Sequence, residues 1–234
     1  MRIGTHEAKE GKVFINPQSW ARLSGVIDDK TYEEIVSKIE PVVDTPVGPV
    51  HNWPPFTKYQ HGIGQLTGTP PGFFTNGNVY CHAAGFKVAA DFEAGRTEKA
   101  FDTFMRILPA EEKSEPYAQV NGYVGPTAMR MKHHVSDDPW RTGTVAWDLL
   151  NCIDRMLGFR RTLEGFELKP RIPARWPEVS YVRPFRGTDF HVTVKRGDHA
   201  AMVVDGQRKD DTFLPVPPEG LGRDKVIVEC TIEK

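Results

Sequence analysis

Among the residues able to do chemistry, His82 stands out first. It sits in "NGNVYCHAAG", residues 76–85, between an Asn-Gly turn signal and a run of small residues that reads as a helix start. Three roles are open to it: metal ligation together with Cys81, anion binding, or packing in a core. Metal ligation is disfavoured by position, because adjacent residues of a strand point to opposite faces. "MKHH", residues 131–134, adds imidazoles, but without HxxE or HxxxH spacing on a helix. Cys81 is a poor nucleophile candidate, since apolar neighbours raise the pKa of a thiol and leave it inert.

Anion binding has a second candidate in "RTGT", residues 141–144, directly before an amphipathic helix. The first N–H groups of a helix lack partners within it and stand at the positive end of its dipole. Thr142 and Gly143 would offer such groups, and a glycine lets an oxyanion approach the main chain. A threonine there is equally an ordinary helix cap. Aromatic residues crowd the loop before His82: Trp53, Phe56, Tyr59, Phe73 and Phe74. Sugar C–H faces stack on such rings, with Lys58, Asn76 and Gln119 as polar partners, although loop aromatics also pin loops to a core. Carboxylates are the missing element. Hydrolysis of a glycosidic bond by the usual route needs two placed acids, yet Glu33-Glu34 and Glu111-Glu112 lie in helical or solvated charge runs.

The elements that must position these groups fall into two parts. Helical spacing is read in "SWARLSGVID" with Ser19 as cap, in "TYEEIVSKIEPV" opening at Thr31 and stopping at Pro41, and in "AAGFKVAADFEAG" after His82. It recurs in "RTEKAFDTFMRILP" from a Thr97 cap and in "TGTVAWDLLNCIDRMLG". Paired helices with short turns predict a mainly α fold, a helical hairpin array or toroid. The connections 41–82 and 109–141 are too long for ordinary turns and are expected to line a site. After about residue 165 the pattern alternates, and Val192–Val194, Ala201–Val204 and Val226–Val228 read as strands of a small antiparallel β module. The expected division is therefore residues 1–165 and 166–234.

Composition narrows the partners. The chain has 234 residues and a formal net charge of -1, which gives no electrostatic reason to bind nucleic acid or an acidic membrane. Three widely spaced cysteines without CxxC favour a reducing cytoplasm. The polar start "MRIGTHEAKEGK" has no signal-peptide core, and no stretch approaches a membrane span.

Several stretches, taken in order, resemble the C-terminal half of inverting glycoside phosphorylases, the cellobiose and chitobiose phosphorylases of glycoside hydrolase family 94. They are "GKVFINPQSWARLSGV", "PPFTKYQHGIGQLTGTPPG", "NGNVYCHAAGF", "SEPYAQV", "WRTGTVAWDLL", "LGFRRTLEGFELKPRIPARWP" and "FRGTDFHVTV". The resemblance implies the later helices of an (α/α)6 barrel followed by a small C-terminal β domain. It implies a reaction in which inorganic phosphate, a co-substrate rather than a cofactor, attacks the anomeric carbon of a β-glucosyl disaccharide and releases α-glucose 1-phosphate with inversion. Phosphate replaces both the water and the base of an inverting hydrolase, so one acid suffices.

By the same resemblance His82, Thr142 and Gly143 hold phosphate, and Gln119 belongs to the substrate site. The family's acid, an Asp in a "DWND"-type motif, has no counterpart here, so the chain is expected to be a fragment that is inactive alone. Thr75 stands where the family commonly has Glu against the acceptor sugar. Its neutrality suits an anionic acceptor such as cellobionic acid, with Lys58 or Lys87 as the positive partner. The family is often dimeric, through segments this chain lacks. Two other readings remain at this point: a hydrolase on a similar helical barrel, and a non-catalytic carbohydrate-binding or structural module.

Overall fold

Helix α1 (Ile15–Leu23) and helix α2 (Asp29–Val43) show how local chemistry sets the boundaries. Ser19 does not cap α1. It lies inside the helix and donates its hydroxyl to the Ile15 carbonyl at 3.0 Å. The cap of α2 is Asp28, whose carboxylate accepts from the Thr31 N–H at 2.8 Å, so the helix starts at Asp29 and Thr31 already lies in its first turn. Pro41 does not stop it. The helix runs on to Val43, whose buried side chain anchors the last turn although the proline supplies no N–H. Helices α3 (Cys81–Glu93), α4 (Thr97–Ile107) and α5 (Thr142–Leu150) follow, and α5 runs on into a π-helical turn at Asn151–Met156.

The structure, a computed structural model, describes residues 3–109, 119–128 and 142–233. These form two units, residues 1–151 and 152–234. In the first, α3 is the hub. It packs against α1, α4 and α5, and buried Ala83, Ala84, Ala89 and Ala90 let its neighbours come close on several sides. The long loops are pinned by six two-residue strands: β1 (Val13–Phe14), β2 (Asp44–Thr45), β3 (Gly48–Pro49), β4 (Asn52–Trp53), β5 (Val79–Tyr80) and β6 (Gly122–Tyr123). They pair β1 with β4, β2 with β3 and β5 with β6.

The second unit is built of strands β7 (Phe159–Arg161), β8 (Gly165–Leu168), β9 (Glu178–Phe185), β10 (Thr188–Gly197), β11 (Ala201–Val204), β12 (Gln207–Lys209), β13 (Phe213–Pro215) and β14 (Lys225–Glu233). One sheet has the order β12-β11-β14-β10-β9 and the other β13-β8-β7. Their core contains Phe159 stacked on Phe166 at 4.0 Å, with Phe190 edge-on to Phe166. Alternate residues of β14 are buried, Val226, Val228 and Cys230, the period of a strand with one covered face.

Two fold expectations are corrected. The chain is not mainly α, nor is it described by a barrel of helices with an appendage. Five α-helices and fourteen strands share the described residues. Helical periodicity over nine to fifteen residues stands out in a sequence, whereas two-residue strands leave almost no pattern. The C-terminal sheet is also not purely antiparallel, because β10 and β14 run parallel, with Val192 opposite Val228 and Val194 opposite Cys230. Among the described residues no helix is long and apolar enough to cross a membrane.

Candidate functional site

His82 reaches its place through a turn that three buried asparagines build. Asn52 accepts the Gly77 N–H at 2.8 Å. The Asn76 side chain accepts the Phe56 N–H at 2.8 Å and donates to the carbonyls of Phe56 and Thr69 at 2.8 and 2.7 Å. Asn78, also buried, passes its carbonyl to the His51 N–H at 2.8 Å. Gly77 has φ +78°, and a Cβ there would lie 2.7 Å from Pro55 Cβ, so the turn requires glycine. Strand β5 then pairs with β6, and the Cys81 N–H donates to the Asn121 carbonyl at 2.9 Å. Cys81 is fully buried among apolar residues. His82 is the next residue and remains partly exposed.

The imidazole sits in an aromatic setting. Its Nδ1 lies 3.4 Å from the Tyr80 hydroxyl, and its ring is 4.7 Å from the Phe86 ring. Phe86 in turn meets Trp147 at 4.7 Å and Trp20 at 5.1 Å. On another side stands Gly143. A Cβ on Gly143 would fall 2.6 Å from His82 Cε1 and 3.0 and 3.1 Å from the two ring nitrogens. The ring therefore lies against bare backbone at the first turn of α5, where N–H groups have no helical acceptor. Burial holds the His82 pKa below the usual imidazole value, so at neutral pH the ring offers one N–H and one lone pair. An imidazole edge beside free main-chain donors at the positive end of a helix dipole is a setting for an oxyanion.

The other expected residues are distributed as follows. Thr142 is the first residue of α5, and its side chain, like Arg141, lies outside the described residues. Gln119 belongs to the segment beside β5, but its amide donates to the Ile107 carbonyl at 3.0 Å, so that N–H already ties down the end of α4. Thr75 stands at the tip of the turn closed by the Asn76 N–H on the Phe73 carbonyl at 3.0 Å. Lys58 is exposed and lines a cavity of about 600 Å³ with Lys9, Glu10 and Phe56. Asn76 links the Thr75 turn to Phe56 and so to the Lys58 loop. Lys87 is removed from any acceptor role: it is buried, with its Nζ 2.6 Å from both Glu40 and Asp91. The Glu111-Glu112 pair and "MKHH" lie outside the described residues. Among the described residues no three His, Cys, Asp or Glu groups gather as a metal site.

One titratable residue near this site carries no signal in the sequence. Asp148, on α5 five positions past Gly143, is buried, and both its carboxylate oxygens lack a hydrogen-bond partner among the described residues. Burial pushes its pKa up to about 7. Thr144 and Asn151, one turn to either side, also carry a buried oxygen without a partner. The Asp148 oxygens are closed to solvent, so this acid does not reach a glycosidic oxygen in the present arrangement.

A sequence profile of the glycosyl hydrolase 94 superfamily, catalytic domain, matches residues 1–158. The chain belongs to that superfamily. Among curated relatives, solabiose phosphorylase of Paenibacillus borealis is 33% identical over 94% of this chain and 30% of its own length. The 3-O-β-D-glucopyranosyl-β-D-glucuronide phosphorylase of the same organism is 37% identical over 91% of this chain and 29% of its own. Cellobionic acid phosphorylase of Neurospora crassa is 31% identical over 92% and 28%. The chain thus spans under a third of the length of these family 94 relatives, which are disaccharide phosphorylases by name.

Proposed function

We propose that this chain carries the phosphate-binding side of an inverting disaccharide phosphorylase of family 94. The observation that supports it best is the His82 ring lying against Gly143 at the start of α5. Phosphate there receives N–H donors from His82 and from the backbone of Thr142 and Gly143. One phosphate oxygen attacks the anomeric carbon as the β-glycosidic C–O bond breaks. The leaving oxygen takes a proton from a carboxylic acid, and inversion gives α-glucose 1-phosphate. Within these 234 residues no "DWND"-type acid motif occurs, so the chain by itself binds phosphate without turnover. Release of glucose 1-phosphate from a disaccharide by this chain alone would overturn that part of the reading.

The acceptor proposed is an anionic sugar. Thr75 puts no negative charge beside it, and Lys58, without an acidic partner among the described residues, supplies the cation. Two of the relatives act, by name, on a glucuronide and on cellobionic acid, which supports the same class. Three free cysteines suit a reducing cytoplasm. The deciding measurement is calorimetric titration of inorganic phosphate into wild type and His82→Ala. His82→Ala is expected to bind about tenfold more weakly, the loss of one charge-assisted hydrogen bond. Equal affinity in both proteins would refute the site.

A further inference from the structure

The second unit has a cavity of about 480 Å³, lined by residues 168–171, 200–202, 208–212 and 230–232, a size that accommodates a small ligand. Its floor is apolar. Pro170, Ala200, Ala201 and Ile232 give it accessible apolar surface, while Met202 on β11 and Cys230 on β14, directly opposite each other, are almost fully buried. The rim is polar and mainly cationic: Lys169, Arg171, Arg208 and Lys209 against Asp210 and Asp211. Glu167 occupies Lys169 at 2.5 Å. Neither Arg208 nor Lys209 has an ion-pair partner among the described residues.

Register decides where one of these cations points. Lys209 of β12 is paired directly with Met202, and directly opposed residues share a face of the sheet. Lys209, Met202 and Cys230 therefore form one row across three strands on the inner face, ending at the cavity with an ammonium group. An inward lysine on an edge strand also discourages edge-to-edge pairing, but that role needs no cavity beside it, and no carboxylates or hydroxyls around one. Asp210, Asp211 and Thr212 follow Lys209 directly and supply acceptors at the same rim.

We infer that this cavity is a binding site for a hexose bearing one anionic group, separate from the His82 site. The apolar floor receives the C–H face of the ring, Lys209 receives the carboxylate or phosphate, and the Asp210–Thr212 rim receives hydroxyls. The inference rests on the β unit alone and does not depend on the phosphorylase reading.

The test is calorimetric titration of the whole chain, in a His82→Ala background that weakens the first site. The probes are glucose 1-phosphate, gluconate, glucose and inorganic phosphate. Binding of glucose 1-phosphate or gluconate is expected, with weaker binding of glucose and of phosphate alone. Their order tells a phosphate ester from a carboxylate. Lys209→Glu should weaken that binding at least about tenfold, while Lys209→Arg keeps it within about threefold. Circular dichroism establishes that each variant is folded. If neither anionic sugar binds in the His82→Ala background, or Lys209→Glu binds as well as Lys209, there is no such site. Equal binding of glucose would remove the anionic group from the ligand.

Discussion

The two flanks of α3 treat buried polarity in opposite ways. Toward α2 and the start of α4, the buried charges are met. Lys87 touches Glu40 and Asp91, and Arg96 touches Asp91 at 2.6 Å, Glu40 at 2.8 Å and Glu33 at 2.6 Å. The Tyr32 hydroxyl adds a bond to Asp91 at 3.1 Å. Burial alone would raise the Glu40 pKa, but hydrogen bonds from Arg96 and Lys87 outweigh it and hold it down at about 2. Toward α5, the oxygens of Thr144, Asp148 and Asn151 are buried without partners among the described residues, and burial carries Asp148 up to about 7. One flank is a closed ionic clamp that fixes three elements. The other leaves polarity unspent beside the residues proposed to bind phosphate. A buried polar group without a partner calls for an explanation, and a functional role is one of them.

The contrast is broken most severely at Lys87. Lys87→Met leaves Asp91, fully buried, and Glu40 short of a cation. The expected loss is about 3–5 kcal/mol of unfolding free energy, measured by urea unfolding at neutral pH. A loss below about 1 kcal/mol would mean that Arg96 alone satisfies both acids and the clamp is not cooperative.

The opposite sign is expected on the α5 flank. The folded pKa of Asp148, about 7, exceeds the value of 3.8 it has when unfolded. The folded state keeps a proton that the unfolded state has released, so stability falls as pH rises from about 4 to about 7 and then levels off. Asp148→Asn removes that loss. It should stabilise the chain by about 4 kcal/mol at pH 8, with the gain fading to nothing near pH 4. Glu40 behaves in reverse, its contribution full above pH 4.5 and lost as pH falls toward 2. A flat difference between Asp148→Asn and wild type across this range would show that Asp148 ionises freely.

What could be read from the sequence follows the same division. His82 and Gly143 were legible because each sits at a helix start marked by local signals, "NG" before one and "TGT" at the other. Their meeting, so close that a Cβ on Gly143 would fall 2.6 Å from the imidazole, was implied by the family resemblance and not by the local signals. Lys87 and Asp91 were not legible, because an i, i+4 pair of opposite charges reads as a solvated helix face. Whether it is buried depends on α2 bringing Glu40 from 47 residues away. Asp148 was hidden in the same way, one acid on an amphipathic helix. Strand existence was legible at Val192–Val194 and Val226–Val228, but their parallel pairing was not, since alternation is identical in both senses. The strands that pin the long loops are two residues each, too short to carry a period.

The smallest expected effect is also the most specific. Gly143→Ala adds one methyl group at a position that is no left-handed turn, so the backbone tolerates it. The new Cβ meets the His82 ring, which is partly exposed and able to rotate away, so unfolding free energy should change by less than about 1 kcal/mol. Phosphate binding has no such freedom. A displaced imidazole and a covered N–H together remove donors that must converge on one oxyanion, and affinity should fall about tenfold. Combining Gly143→Ala with His82→Ala then separates the two causes. If the methyl group acts by displacing the ring, the double variant binds no more weakly than His82→Ala alone. If it acts by blocking the backbone donors, the losses add, because the two sets of donors then contribute independently.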